Sequence, residues 1–298
     1  MYILSMLMHS FLLVVIFCFG SNLSEPRINE DLGKYIAGSG KTLFFNVLYR
    51  IVIPSILFGV IEFLPSSIIQ GREIDIGKTL YKTIGGGTYW FTSALTVAEL
   101  VMLTLLILRK KSIWFYVSVS IVLGSIGVVI GHHNLLHGVW AWRQGLIAMI
   151  FLALGGLYWK YEMQIDQMMK WWFALLMIVV YVLIIRYCHY TNPLISTLAI
   201  EPLGFITSAI ACMLLVWFSK LLPEVKTLVY IGQNSLGFYF MSGALPICLS
   251  LVIHKLIPSS SICIMIIIWC ACLLLALLVV VLINRWMPWV WDFRKFNR

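Results

Sequence analysis

Tyr89-Trp90-Phe91-Thr92-Ser93-Ala94-Leu95-Thr96-Val97-Ala98-Glu99-Leu100-Val101-Met102-Leu103-Thr104-Leu105-Leu106-Ile107-Leu108 carries one charged side chain, Glu99. It has the roughly 20 apolar residues that a helix needs to cross a bilayer. Eight other runs read the same way: Tyr2–Phe19, Val47–Leu64, Ile113–Gly131, Gln144–Trp159, Trp171–Ile185, Leu203–Ser219, Leu228–Ile253 and Ile262–Ile283. With 61% hydrophobic and 11% charged residues and a mean hydropathy of +0.97, the chain reads as a membrane protein. The expectation is an all-α, polytopic transmembrane helix bundle of about nine spans. It forms one integral-membrane domain over residues 1–298, since no linker or low-complexity tract separates two.

Sorting Lys and Arg by alternate loops orients that bundle. Arg72, Lys78, Lys82, Arg143, Arg186 and Lys255 fall on the side of the N-terminus, six of the 21 basic residues, and the other fifteen fall on the opposite side. The positive-inside bias therefore predicts a cytoplasmic C-terminus and, with nine spans, an external N-terminus. Met1 opens directly into apolar sequence with no basic residue before it, the pattern expected if a preceding helix had carried the chain across. A cleaved signal is the weaker reading, because it wants a positive n-region, and a lipoprotein signal wants a small residue where Phe17 precedes Cys18.

The net charge of +9 lies in the cytoplasmic loops, where topology requires it, so no nucleic-acid partner is expected. The seven cysteines lie within or beside apolar runs and read as small packing residues, neither a disulfide framework nor a zinc site. With short polar loops, the work must be done within the bundle or at its rim.

Ionisable groups at membrane depth are the first functional candidates, because each costs a few kcal/mol unless it faces a cavity or a partner. Glu99 reads either as a structural carboxyl locking two helices or as a catalytic group, and Glu62, near the end of its apolar run, reads as interfacial. Arg50 stands four residues before Pro54 at a cytoplasmic end. It either snorkels as an anchor or offers its planar fork to the phosphate of an anionic cofactor. Trp140 and Trp142 suit an interfacial aromatic belt and could equally stack on a sugar ring. His133 and His137 lack companion ligands, so no metal is expected there. His9, inside the first apolar run, is either a buried neutral imidazole or a catalytic base.

Several segments together resemble the membrane-bound acyltransferase-3 family of multi-spanning bacterial enzymes that move acyl groups onto sugars and glycans. Ile231-Gly232-Gln233-Asn234-Ser235-Leu236-Gly237-Phe238-Tyr239-Phe240 resembles the family's IGKNSLAIYLLH segment, whose terminal His falls at Ser242. Tyr89-Trp90-Phe91 running to Glu99-Leu100, Trp140-Ala141-Trp142-Arg143 running to Gly155, and Tyr49-Arg50-Ile51-Val52-Ile53-Pro54 resemble three further family segments. The run from His9 to Gly20 resembles the second helix, with its His one or two residues out of register. These segments follow the family's order along nearly the whole chain.

The resemblance implies a bundle of about ten helices in which acyl-CoA, most simply acetyl-CoA, enters from the cytoplasm as co-substrate, with no bound cofactor. The acceptor, a hydroxyl of a cell-surface or exopolysaccharide glycan or its lipid-linked sugar precursor, would be presented toward the outer face of a bacterial cytoplasmic membrane. The family's first helix, with its Arg and His, has no counterpart here, as nine spans with an external N-terminus also suggest. On this reading Glu99 and His9 are candidate catalytic residues, Arg50 and Asn234 candidate acyl-CoA contacts, and Trp140, Trp142 and Arg143 candidate substrate contacts. The alternatives are a transporter or flippase of a glycan intermediate, and an inactive truncated family member.

Overall fold

The computed structural model describes residues 44–45, 47–71, 75–108, 113–132, 139–191, 202–223, 225–242, 244–256 and 262–291. Every regular element among them is helical: α1 Ile53–Gln70, α2 Ile76–Ile84, α3 Trp90–Leu108, α4 Ile113–His132, α5 Trp142–Lys160, α6 Glu162–Met168, α7 Trp171–Thr191, α8 Pro202–Leu221, α9 Lys226–Gln233, α10 Ser235–Met241, α11 Ala244–Leu256 and α12 Ile262–Trp286. A π-helical turn, Leu48–Val52, leads into α1, and 3-10 turns occupy Val139–Ala141 and Pro288–Val290. The helices divide into two compact units, Met1–Phe44 with Ser93–Pro223, and Phe45–Thr92 with Glu224–Arg298.

In the first unit α4 lies against α5, α7 against α8, and α3 meets α5. Membrane helices gain no hydrophobic drive from one another and rely on close packing, which small residues permit. Gly127 of α4 shows the requirement: a Cβ there would lie 3.0 Å from the Arg143 carbonyl oxygen and 3.0 Å from Leu146 Cβ. On the other side of α5, a Cβ on Gly145 would come within 2.7 Å of Val97 on α3. Gly127→Leu should therefore cost about 1–3 kcal/mol by overpacking, read as a lower unfolding midpoint in detergent. A midpoint equal to the parent's would show that α4 and α5 do not touch here.

One end of this unit is tied by a small polar cluster. Lys220 Nζ on α8 donates to Glu162 Oε1 at 2.6 Å and to Asp166 Oδ2 on α6, while the Tyr158 hydroxyl of α5 donates to Asp166 Oδ1 at 2.9 Å. The pairs are partly exposed and so modest in energy; their role is to fix α6 after its turn from α5.

Unit two packs α1 on α2 and α11, and α12 on α10 and α11. Pro54 sits in the first turn of α1, where its missing N–H is harmless. Gly71, at φ 64, closes α1 in the left-handed conformation, its N–H donating to the carbonyls of Ile68 and Ser67. The Asp75 carboxylate caps α2 by accepting from the Lys78 N–H at 2.9 Å. That bond holds its carboxyl below the usual carboxylate range, so the cap contributes fully above that range and is lost only as pH falls below it, through the lowered pKa.

Three segments depart from the sequence reading. The run ending at Leu64 continues as helix to Gln70, which places Glu62 in the middle of α1. The polar connection expected after it contains α2. The run Leu228–Ile253, expected as one span, is broken into α9, α10 and α11, because Asn234 at φ −110 leaves the helical path between α9 and α10.

Of the described helices, Ile266–Trp286 is long and apolar enough to cross a membrane, and Trp142–Tyr158 with Glu162–Met168 qualifies as a bent pair. Trp90–Leu105, Trp114–Ile130, Trp171–Tyr187 and Ile206–Leu221 are shorter apolar helices. Leu175, Val179, Val182 and Leu183 of α7, and Ile267, Leu274 and Leu278 of α12, are exposed. Contiguous apolar surface on helices suits lipid and not water.

Candidate functional site

The second unit contains a buried aromatic core with one carboxylate at its edge. Phe58 of α1 stacks on Phe240 of α10 (centroids 5.0 Å apart) and on Trp291 (4.9 Å). Tyr89, the residue before α3, meets Phe240 edge-on at 5.0 Å and Tyr239 at 5.7 Å. Phe91 adds an edge contact to Tyr239 at 5.1 Å. Val280 of α12 and Val290 of the following turn complete the cluster.

The Tyr89 hydroxyl is the polar point of this core. It lies 3.4 Å from the Phe240 carbonyl oxygen and within hydrogen-bonding reach of the Glu62 carboxyl. A phenol has one proton to give. With Glu62 ionised, the charge-assisted bond to the carboxylate is the stronger claim on it; with Glu62 protonated, the carboxyl donates to the phenol oxygen, freeing its proton for Phe240. Around the pair, the Tyr239 hydroxyl accepts from the Phe91 N–H, one of the orphan donors in the first turn of α3, and the Cys248 thiol of α11 lies within the field of Glu62.

Sequence reasoning read Glu62 as interfacial, since hydropathy ended its run two residues later. The signal available was Ile68-Ile69-Gln70 beyond Pro65, apolar enough to extend the helix. Tyr89 carried no signal of its own.

The other candidates are distributed as follows. Asn234, in the same unit, sits at the break between α9 and α10; its Nδ2 donates to the Tyr230 carbonyl at 2.8 Å, and its Oδ1 accepts from Asn284 Nδ2 of α12 at 2.7 Å. Asn284 Nδ2 also reaches the Tyr230 hydroxyl at 2.9 Å. This amide network braces the break against α12. Arg50 is exposed on the π-helical turn before α1. Glu99, half-buried on α3, belongs to the first unit, as do Trp140, Trp142 and Arg143 at the start of α5. Trp140 and Ala141 take left-handed backbone angles, φ 68 and 47. The Gly145 contact joins those two segments, with Arg143 two residues before it and Glu99 two residues after Val97. His9 lies outside the described residues.

Residues 2–285 match the family described as an acyltransferase domain, the acyltransferase-3 domain. The chain belongs to the acyltransferase-3 family. Among curated proteins and among solved structures nothing matches it. The acyltransferase is thus a membrane enzyme by family, and the exposed apolar faces of α7 and α12 accord with that. Within it, Glu62 and Tyr89 form a carboxyl–phenol contact at the edge of the aromatic core.

Proposed function

We propose that this acyltransferase moves an acyl group, acetyl in the simplest case, from acyl-CoA to a hydroxyl of a cell-surface glycan or its lipid-linked precursor. It would work in a bacterial cytoplasmic membrane as a bundle of about nine spans with a cytoplasmic C-terminus. The observation that carries the reading is the family match over residues 2–285, together with the contact of the Glu62 carboxyl and the Tyr89 hydroxyl at the core of one unit.

The chemistry sets the roles. An acceptor hydroxyl attacks the thioester carbonyl, a C–O bond forms, the C–S bond breaks, and the thiolate of coenzyme A leaves. The hydroxyl proton must go to a base, and the developing oxyanion needs donors. Glu62 takes the proton, and Tyr89 holds the carboxylate in one orientation while it is charged. Glu99 and His9 remain candidates for orienting the acceptor, and Trp140 and Trp142 for stacking on a sugar with Arg143 beside them. Asn234 is a candidate acyl-CoA contact through whatever acceptor capacity its Asn284 bond leaves.

Arg50 is proposed to hold a phosphate of coenzyme A. Arg50→Ala should weaken acyl-CoA binding by about 1.5–3 kcal/mol, the range for a charge-assisted hydrogen bond. Arg50→Lys should restore part of it, since an ammonium lacks the bidentate fork. Unchanged affinity in Arg50→Ala, with normal insertion, would leave Arg50 as an anchor alone. The reaction itself is tested by acceptor-dependent release of coenzyme A thiol from the purified protein. Glycan movement across the bilayer without thiol release would instead indicate a flippase.

A further inference from the structure

Acyl transfer needs a donor for the carbonyl oxygen of the thioester, on which negative charge grows as the acceptor attacks. Most polar hydrogens around the aromatic core of the second unit are already committed. The Tyr89 hydroxyl serves Glu62 and Phe240. Asn234 Nδ2 donates to the Tyr230 carbonyl, and Asn284 Nδ2 to Asn234 Oδ1 and the Tyr230 hydroxyl. The Ser242 hydroxyl donates to the Tyr239 carbonyl at 2.7 Å. Trp291 Nε1 has no partner among the described residues, but it is buried against the core and shielded from any substrate. The Cys248 thiol is a weak donor.

Tyr239 differs from these. Its oxygen accepts from the Phe91 N–H, and among the described residues nothing accepts its proton. The side chain is half-buried, so part of it is open where its neighbours Tyr89 and Phe240 are closed.

The chain holds this phenol in place from several sides. After α2 it turns through Gly85-Gly86-Gly87, the Gly87 N–H donating to the Lys82 carbonyl at 2.8 Å, and two residues later Tyr89 enters the core. Helix α3 begins at Trp90, so Phe91 lies in its first turn, where the N–H has no carbonyl of its own helix to bond. The Tyr239 ring meets Phe91 edge-on at 5.1 Å and Tyr89 at 5.7 Å. On α10 itself, a Cβ on Gly237 would lie 3.1 Å from the Trp291 ring, so the helix is seated closely. Ring packing and the Phe91 bond thus fix the hydroxyl before a substrate arrives, which is what makes such a donor effective. The N–H behind it polarises the O–H and sets the positive end of the α3 dipole toward developing negative charge.

We propose that Tyr239 is a catalytic residue of the transfer: its hydroxyl, held by the Phe91 N–H, donates a hydrogen bond to the thioester carbonyl of acyl-CoA and stabilises the oxyanion formed when the acceptor attacks. This rests on the acyltransferase reading, in which Glu62 is the base. The acceptor O–H bond breaks, its proton passes to Glu62, and the new C–O bond pushes the carbonyl electrons onto the oxygen bonded to Tyr239. Glu62 lies near enough for its charge to act on the Tyr239 hydroxyl. The proton it takes removes that charge as the oxyanion forms, so the two do not repel. Collapse breaks the C–S bond, Glu62 returns the proton to the departing thiolate, and Tyr239 keeps its own proton throughout.

The test is the infrared carbonyl band of acetyl-CoA, isotope-labelled at the carbonyl carbon and bound to the full chain in nanodiscs without acceptor, together with turnover. The band should lie lower in the parent than in Tyr239→Phe, because a hydrogen bond weakens the carbonyl bond. A ring-fluorinated tyrosine at position 239, a stronger donor of nearly the same shape, should lower it further. Tyr239→Phe should also reduce kcat about 10²–10³-fold, the usual cost of one lost oxyanion donor, with the KM for acyl-CoA changed by less than about tenfold. Identical bands in the parent and Tyr239→Phe would overturn the proposal. So would a fluorinated protein whose band coincides with the parent's, an outcome that stays readable if Tyr239→Phe does not fold. Parent-level kcat in Tyr239→Phe would remove the donor and leave the acyltransferase reading in place. A Tyr239-dependent band without acceptor-dependent thiol release in the parent would remove that reading, and with it the catalytic role, while the hydrogen bond to the carbonyl stood.

Discussion

Glu62→Gln is expected to lower acyl transfer by about 10²–10⁴-fold, the usual contribution of a positioned general base, while acyl-CoA binding and insertion stay near the parent's. The amide keeps the shape of the side chain and can still bond the Tyr89 hydroxyl, but it cannot accept a proton in the working pH range. Were Glu62 a neutral brace, Gln would be close to harmless, because a protonated carboxyl and an amide offer similar hydrogen bonds. Tyr89→Phe serves as the companion: it removes the hydroxyl that orients the carboxylate and should reduce turnover by less than Glu62→Gln. Glu99→Gln gives the contrast with the other half-buried carboxyl candidate. Parent-level turnover in Glu62→Gln would take the base role away from Glu62, and a collapse in Glu99→Gln alone would move it to α3.

The largest stability effect should come from Phe240→Ala. Phe240 is fully buried, stacked on Phe58, edge-on to Tyr89 and parallel to Trp291 at 6.5 Å. Truncating a fully buried aromatic side chain costs about 3–5 kcal/mol when the cavity cannot collapse. Here the neighbours are flat rings fixed from three separate segments, so little collapse is expected. The cost arises mainly from lost dispersion contacts, since lipid is as apolar as the core. The check is the unfolding midpoint in detergent, with Phe218→Ala on the exposed face of α8 as the control. Equal midpoints for the two variants would mean that the aromatic cluster is not a packed core.

Helices whose apolar character is continuous were legible in the sequence. The run Tyr89–Leu108 becomes α3 at Trp90–Leu108, and the run Ile262–Ile283 becomes α12 at Ile262–Trp286. Hydropathy reads composition, and in these segments composition and helix coincide. It cannot read a break inside apolar sequence. The run Leu228–Ile253 is interrupted at Asn234, where the side-chain amide bonds Tyr230 behind it and Asn284 of α12, fifty residues away. Helix α2 was missed for a related reason. Its nine residues divide among three faces, so neither an apolar run nor a two-faced pattern stands out, and what it packs against is decided by Gly59 of another helix.

The site was legible in type and not in membership. A carboxylate at membrane depth was sought, since such a group is costly without a partner. Glu99 ranked first because its run is centred on it, and Glu62 was discounted as interfacial because Pro65 and the serines after it obscured the continuation of α1. Tyr89 becomes meaningful only when the chain returns it to α1 through the glycine turn. Asn234 was picked out through the family-like segment that contains it, and its visible partners are those of a brace.

The most direct measurement is transfer itself. Purified protein in nanodiscs is given isotope-labelled acetyl-CoA and a hydroxyl-bearing lipid-linked glycan, and both the ester formed and the thiol released are counted. The account predicts label in a base-labile ester on the glycan, with one thiol released per ester and both reduced to background in Glu62→Gln. Absence of ester and thiol above background in the parent protein, alongside passage of the glycan across the bilayer, would contradict it.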